Sequence, residues 1–235
     1  MTNVCVVVPF RSTDPERRRI FSWALARWQK LVPDEWAIAV RGDGQTEGPF
    51  NRSRAVNAAV AATGADVVIV SDGDTAVRHG QAEAMVRAIE DHPYVIGYSR
   101  FVHLAKIATE EALTSPVDIP LPENPQGPSV RFQSWESVCG LWAMRREDHH
   151  AIGGQDERYS GWGAEDSAFA MKASTLLAPP HRLPGVGLHL HHHLRADRKT
   201  DASARANFAL LTEYEKAEGD PAAMTAIVRA SLAAT

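Results

Sequence analysis

Ala65-Asp66-Val67-Val68-Ile69-Val70 runs directly into Ser71-Asp72-Gly73-Asp74. An apolar, largely β-branched run delivers two carboxylates, one residue apart, with a glycine between them. The run reads as a buried strand. Acids at the end of such a strand are costly unless they are paired or hold a metal. In open α/β sheets the C-terminal tips of strands are where ligands bind. The pattern points to a divalent-cation site that holds a phosphate-bearing ligand. The plainer alternative is a polar turn, for which Asp and Gly are ordinary residues.

Upstream, Val4-Cys5-Val6-Val7-Val8 is a first buried strand, closed by Pro9-Phe10-Arg11. Thr13 or Asp14 caps a helix with Pro15 in its first turn. Ile20, Trp23, Ala24, Trp28 and Leu31 recur there at helical spacing, and Pro33 ends the helix. Trp36 to Val40 is a second strand, followed by the polar loop Arg41-Gly42-Asp43-Gly44. Asn51 or Ser53 caps an Ala-rich helix through Ala62, stopped by Gly64. Strand, helix, strand, helix, strand is the pattern of a parallel sheet with right-handed crossovers. A helix over Gly80 to Asp91 and a strand over Tyr94 to Ser99 extend it. The five prolines between Pro116 and Pro128 mark an irregular excursion over 114–130, expected as a mobile loop over the site. Ser137 to Met144 reads as a strand, and 145–152 as a short helix stopped by Gly153-Gly154. Ala164 to Leu177 reads as a helix, Gly185 to His193 as an extended histidine-rich run, and 200–233 as helix.

The bulk numbers fit one globular unit. The chain has 235 residues, 44% hydrophobic and 23% charged, ample for a core. A formal net charge of -4 leaves no global positive field for nucleic acid. The two cysteines, Cys5 and Cys139, sit in apolar runs and read as free thiols. Val4 to Val8 is too short for a signal peptide, and no stretch is long enough to span a bilayer, so the cytoplasm is the expected location.

Three constellations carry chemistry. Asp72 and Asp74 combine with His189, His191, His192 and His193 into a donor set suited to a borderline ion such as Mn²⁺, with Mg²⁺ the alternative for oxygen ligands. Strand alternation predicts His189, His191 and His193 on one face and His192 on the other. Gly161-Trp162-Gly163-Ala164-Glu165-Asp166 places an aromatic platform between glycines, ahead of a helix that opens on two acids. Capping by the helix dipole is the plain reading. The functional one is a sugar stacked on Trp162, with Asp166 as general base. Pro9-Phe10-Arg11 and Phe50-Asn51-Arg52 each set an aromatic beside an arginine, a pair able to hold a base and a phosphate.

Taken in order, these motifs resemble the GT-A glycosyltransferases. The likeness is to the β-1,4-galactosyltransferase type and its bacterial family 2-like relatives, and more distantly to the polypeptide N-acetylgalactosaminyltransferases. It runs from about residue 3 to 200. It implies a Rossmann-like, mostly parallel α/β sheet flanked by helices. The expected layout is a single domain over 1–235: a nucleotide-binding half over about 1–100, an acceptor and metal half over about 131–200, and a helical tail over about 200–235. It implies Asp72 and Asp74 as the DxD motif, with Asp74 the direct ligand. Pro9, Phe10, Arg11, Phe50 and Arg52 would line the uridine and pyrophosphate pocket, with Asp43 at the base. Trp162, Gly163, Glu165 and Asp166 would face donor sugar and acceptor, Asp166 serving as base of an inverting transfer. His189 and His192 have the spacing of the family's Met and His metal ligands, with His in place of Met. Ala164 stands where the family has Gly, and Ser167 where a third acid is common.

The activity implied is transfer of a sugar from a nucleotide sugar, a UDP-sugar favoured, to an acceptor hydroxyl with Mn²⁺ or Mg²⁺. The acceptor is open among a glycan, a lipid-linked glycan, a protein and a modified nucleic-acid base. Arg195, Arg198 and Lys199 form a small basic patch that reads as solvated surface. Three alternatives stand beside this activity: a metal-dependent phosphohydrolase of the haloacid dehalogenase type, a nucleotidyltransferase, and a non-catalytic nucleotide-sugar-binding module. The dehalogenase pattern wants Thr or Val where Ala76 stands. A nucleotidyltransferase would want a Gly-rich loop where Pro9-Phe10-Arg11-Ser12-Thr13 stands.

Overall fold

A computed structural model describes residues 2–193 and 201–234. The elements run β1 (Val4–Pro9), α1 (Pro15–Leu31), β2 (Ala37–Arg41), α2 (Arg52–Ala62), β3 (Val67–Ser71), β4 (Thr75–Ala76), α3 (Gln81–Ala88), β5 (Tyr94–Ile96), β6 (Arg100–Leu104) and α4 (Lys106–Thr114). After a short 3₁₀ turn come β7 (Val130–Ser134), β8 (Leu141–Arg145), α5 (Arg146–Ala151), α6 (Glu165–Leu176), β9 (His181–Arg182), β10 (Val186–His189), α7 (Ala202–Ala217) and α8 (Pro221–Ala233). The basic patch Arg195, Arg198 and Lys199 lies outside the described residues.

The main sheet has the order β2-β1-β3-β8-β5-β9. β1 pairs in parallel with both β2 and β3, as the alternation of strands and helices predicts. Every residue of β1 and β3 is buried, which explains why both read as continuous apolar runs. β8 runs antiparallel to its neighbours β3 and β5. Asp14 caps α1 by accepting from the Arg17 amide, and Asn51 caps α2 by accepting from the Arg54 amide.

A second sheet, β4-β10-β6-β7, is absent from the sequence expectation. The strand expected over 94–99 stops at Ile96, and the chain bends before re-entering as β6. Gly97 sits at that bend, where an added Cβ would lie 2.8 Å from both Leu141 and Met85. The strand expected from Ser137 begins at Leu141. Residues just before it are taken up instead: the Tyr98 hydroxyl donates to the Cys139 carbonyl, and Arg182 donates to the Ser137 carbonyl. The run after β10 also differs. It leaves the strand at His189, and the Leu190 amide donates to the Asp74 carbonyl at 2.8 Å.

The proline-rich excursion is not a lid over the site. Arg27, buried in α1, donates to the carbonyls of Val77, Val117 and Ile119. Trp23 Nε1 reaches the Ser115 carbonyl. Buried carbonyls need donors, and a buried guanidinium needs acceptors, so each secures the other. The C-terminal helices, expected as a helical tail, are packed on the body of the fold. α7 and α8 pack on α6 around Tyr159, Ala168, Tyr214, Ala217 and Met224. Among the described residues, no helix is long and apolar enough to cross a membrane.

Candidate active site

Asp72, Gly73 and Asp74 form the turn between β3 and β4. The Asp72 amide donates to the Gly140 carbonyl, and the Thr75 amide returns to the Asp72 carbonyl. Gly73 is needed here for close approach: a Cβ would lie 3.0–3.1 Å from the rings of Phe21 and Phe10. Those two rings stack at 3.9 Å between centroids. The turn therefore holds the two carboxylates apart, each with its own partners.

Asp74 gathers imidazoles. Its oxygens lie 3.6 Å from His189 Nε2 and 3.1 Å from His192 Nε2. One ligand atom from each of the three residues lies within 4.8 Å of the others. This corrects the alternation expectation. Because the strand ends at His189, the chain turns and brings His192 back to the same side. His191 and His193 are engaged elsewhere through their amides, to Thr109 Oγ1 and Glu16 Oε2. Asp72 lies outside the three-residue cluster.

The donor set fits a divalent cation. His192 Nδ1 lies 2.9 Å from the His193 carbonyl, which only accepts, so Nδ1 carries the proton. His192 Nε2 faces the Asp74 carboxylate at 3.1 Å, close enough for both to ligate one ion. Burial favours a protonated Asp74, but His189, His192 and Arg17 outweigh it and hold the carboxyl below the usual range. Burial also holds His189 below its ordinary value, leaving a neutral imidazole suited to ligation. Arg17 adds to the hold on Asp74, from 3.3 Å on the same carboxylate.

Asp72 turns the other way, to Arg52. Arg52 Nε donates to Asp72 Oδ1 at 2.7 Å. Its Nη1 lies 3.0 Å from Asp166 Oδ1. One guanidinium thus bridges the DxD turn and the start of α6. Burial pushes the Asp166 carboxyl well above its usual range, Arg52 opposes, and the like charges of Glu165 and Asp72 add to the rise. Burial raises Glu165 in the same way. Asp166 is a carboxyl with raised proton affinity at the wall of a cleft, the condition for a general base working near neutral pH.

That cleft has a volume of about 360 Å³. Trp162, Gly163, Glu165 and Asp166 line it, together with His103, Phe132, Glu136 and Cys139. Ala164 takes a left-handed φ of 74° where glycine is the natural choice, and it ends the Trp162 loop so that α6 can begin. The loop is held by α7. Buried Asn207 accepts from the Ser160 amide and donates to the carbonyls of Ser160 and Trp162. Phe208 meets the Trp162 ring edge-on at 6.0 Å.

The Pro9-Phe10-Arg11 and Phe50-Asn51-Arg52 segments do come together. Arg11 Nε lies 3.1 Å from buried Asp43, and its guanidinium sits 5.7 Å from the Phe50 ring centre. Asp43 also accepts from the Asn51 amide at 2.9 Å. Pro9 is buried at the end of β1, and Phe10 is half-buried on Phe21. Arg11 donates further to the carbonyls of Glu47 and Gly48, so its role here is to fold the 43–50 loop.

Three residues escape sequence reasoning. Arg17 is one of three consecutive arginines, with nothing to single it out. His103 packs against His189 with ring centres 4.5 Å apart, on a strand the sequence hides. Asn207 lies on a helix remote in sequence.

Two family models match the chain. Residues 45–153 match glycosyl transferase family 2, and residues 126–192 match the N-terminal domain of galactosyltransferase. No curated protein sequence matches. Among solved structures, a mutant Drosophila β1,4-galactosyltransferase 7 with manganese, UDP-Gal and xylobiose is 18% identical, with a TM-score of 0.53, covering 86% of this chain and 76% of that one. Glucosyl-3-phosphoglycerate synthase from Mycobacterium tuberculosis with Mn²⁺ and UDP-glucose is 15% identical, with a TM-score of 0.56, covering 90% and 78%. The same enzyme is also known with phosphoglyceric acid, at 15% identity and a TM-score of 0.53, covering 91% and 80%. At these identities the likeness is one of fold.

Proposed function

We propose that this chain, a glycosyltransferase of GT-A fold, uses a divalent cation to move a sugar from a UDP-sugar to an acceptor hydroxyl with inversion at the anomeric carbon. One observation carries the reading: Arg52 bridges Asp72 to Asp166 at the cleft, while the other acid of the same DxD turn, Asp74, gathers His189 and His192. The structural neighbours' Mn²⁺ and UDP-sugar complexes support the choice of metal and donor. We assign Asp74, His189 and His192 to the cation, Mn²⁺ favoured because imidazole suits it better than Mg²⁺. When bound, the cation neutralises charge on the departing diphosphate.

The chain's own residues do the rest. The Phe10, Arg11, Asp43 and Phe50 corner holds the uridine, with Pro9 fixing the end of its strand. Asp72 orients the donor. Arg17 and Arg52 supply positive charge where negative charge grows as the diphosphate leaves. Trp162 and Gly163 leave an open, flat face for the sugars, and Glu165 accepts from their hydroxyls. Asp166 takes the acceptor's hydroxyl proton as that oxygen bonds the anomeric carbon. The carbon–oxygen bond to the diphosphate breaks on the opposite face, and UDP departs.

Calorimetry with UDP-sugars, with and without Mn²⁺, on wild type and Asp74→Ala tests this. Metal-dependent binding that the variant loses is the expected result. Absence of nucleotide binding with metal present overturns the reading and favours a phosphohydrolase.

A further inference from the structure

Three consecutive arginines, Arg17, Arg18 and Arg19, follow the cap of α1. A helix turns successive side chains roughly 100° apart, so the three face different surroundings. Arg19 pairs with Glu110 of α4 at 2.7 Å. Arg18 is exposed. Arg17 reaches the candidate cation cluster, with Nη2 3.3 Å from Asp74 Oδ2. That oxygen is contested. His192 Nε2 lies 3.1 Å from the same Oδ2, and Asp74, His189 and His192 are the residues placed to hold a cation. Arg17 competes for this oxygen, and its charge repels any second cation brought so close.

The competitor is free to leave, but the carboxylate is not. The backbone of Arg17 is fixed: its amide donates to the Asp14 cap, and its neighbour Glu16 accepts from the His193 amide through Oε2. Its side chain, by contrast, is 42% exposed, against 12% for Asp74. The Asp74 carbonyl accepts from the Leu190 amide, which ties the turn to the histidine segment. Arg17 therefore changes sign with its surroundings. With no diphosphate present it opposes an ion on Asp74. Beside a diphosphate its planar guanidinium gains phosphate oxygens as partners, the geometry that suits it best. Its charge then favours ion and diphosphate together.

We propose that Arg17 is an exchangeable cation on Asp74: it weakens binding of a lone ion and passes to the donor's diphosphate, so that ion and donor bind cooperatively. This rests on the donor reading above. Such coupling is reciprocal, so UDP tightens the ion by the factor with which the ion tightens UDP. The test uses MnCl₂ and UDP on the whole chain, with no acceptor and no turnover. Electron paramagnetic resonance of free Mn²⁺ gives the ion's Kd with and without UDP, and calorimetry gives the Kd of UDP with and without Mn²⁺. Arg17→Gln should bind Mn²⁺ alone at least about threefold tighter and lose at least about fivefold of the mutual enhancement. Arg17→Lys, which keeps the charge without the fork, should fall between. Arg18→Gln, the same change in net charge one residue away, should match wild type. Equal or weaker binding of Mn²⁺ alone by Arg17→Gln overturns the proposal, as does an unchanged enhancement. So does an Arg18→Gln variant that behaves like Arg17→Gln, because the effect then belongs to net charge and not to the contact with Asp74. A wild type that binds Mn²⁺ but not UDP marks the separate failure of the donor reading, and the coupling falls with it. A wild type that binds neither overturns both.

Discussion

On the donor side of Asp166, opposite charges hold the structure: Arg11 on Asp43, Arg17 on Asp74, Arg52 on Asp72. On the acceptor side, neutral contacts do the same work: Asn207 on the Trp162 loop, Phe208 against Trp162, Tyr98 on the Cys139 carbonyl. Apart from His189 and His192, the side proposed for the donor lies within the first 75 residues and is built from neighbouring strands and helices. The acceptor side is assembled from β7, the loop before β8, the loop before α6 and α7. Charge is suited to a ligand that brings charge of its own. Neutral contacts fix the shape of a wall without adding to the field of the acids it carries.

The largest expected effects fall where the two sides meet. Asp74→Ala removes the carboxylate from the metal cluster, and metal-dependent donor binding should disappear from calorimetry. Asp166→Asn should cut transfer by about 10²- to 10⁴-fold while the donor's Kd stays near wild type. Near-normal transfer in that variant would remove Asp166 from the role of base. The carboxyl is raised by burial, so wild-type kcat should fall as pH drops through that raised value, when the base becomes protonated.

Asn207→Ala is a smaller break that isolates the acceptor wall. Loosening a positioning loop costs up to about a hundredfold, and the loss should appear with the acceptor, leaving UDP affinity unchanged. Hydrogen exchange over residues 159–164 should quicken in the same variant. Equal loss of UDP affinity would mean the two sides are not separable.

The last effect is on stability and leaves the chemistry of both sides untouched. His149 is buried against Trp142 and Phe169, and burial holds its pKa down to about 3. The native state therefore disfavours protonation relative to the unfolded chain. Its contribution is fully present above about pH 6.5 and is lost as pH falls toward 3, at up to about 1.4 kcal/mol per pH unit. Denaturant unfolding across that window should show His149→Leu losing less stability on acidification than wild type.

The donor side was legible because its signals are local. β1, α1, β2, α2 and β3 each carry their own apolar pattern and caps. Asp72, Asp74 and Arg52 announce themselves beside such elements. The second sheet was hidden because β6 mixes Arg100 and His103 with apolar residues, and because both its partners, β7 and β10, are distant in sequence. His192 was put on the wrong face because strand alternation was extended past the residue where the backbone turns to Asp74. Asn207 carries no local signature: its three hydrogen bonds all cross to another segment. Arg27 was passed over for the same reason, a polar residue on a helix face otherwise read as apolar.

Arg52 has a consequence in time. In the free protein one guanidinium serves both Asp72 and Asp166, so neither acid lacks a counterion while the cleft waits. A diphosphate arriving beside it competes for the same cation. Whatever share it draws off leaves Asp166 a stronger base, and this happens only once a donor is in place. The sequence of events would then be written into a single side chain: donor first, proton transfer second. Initial-rate kinetics with both substrates varied would read that order directly. A random order in wild type would deny Arg52 the part of timekeeper.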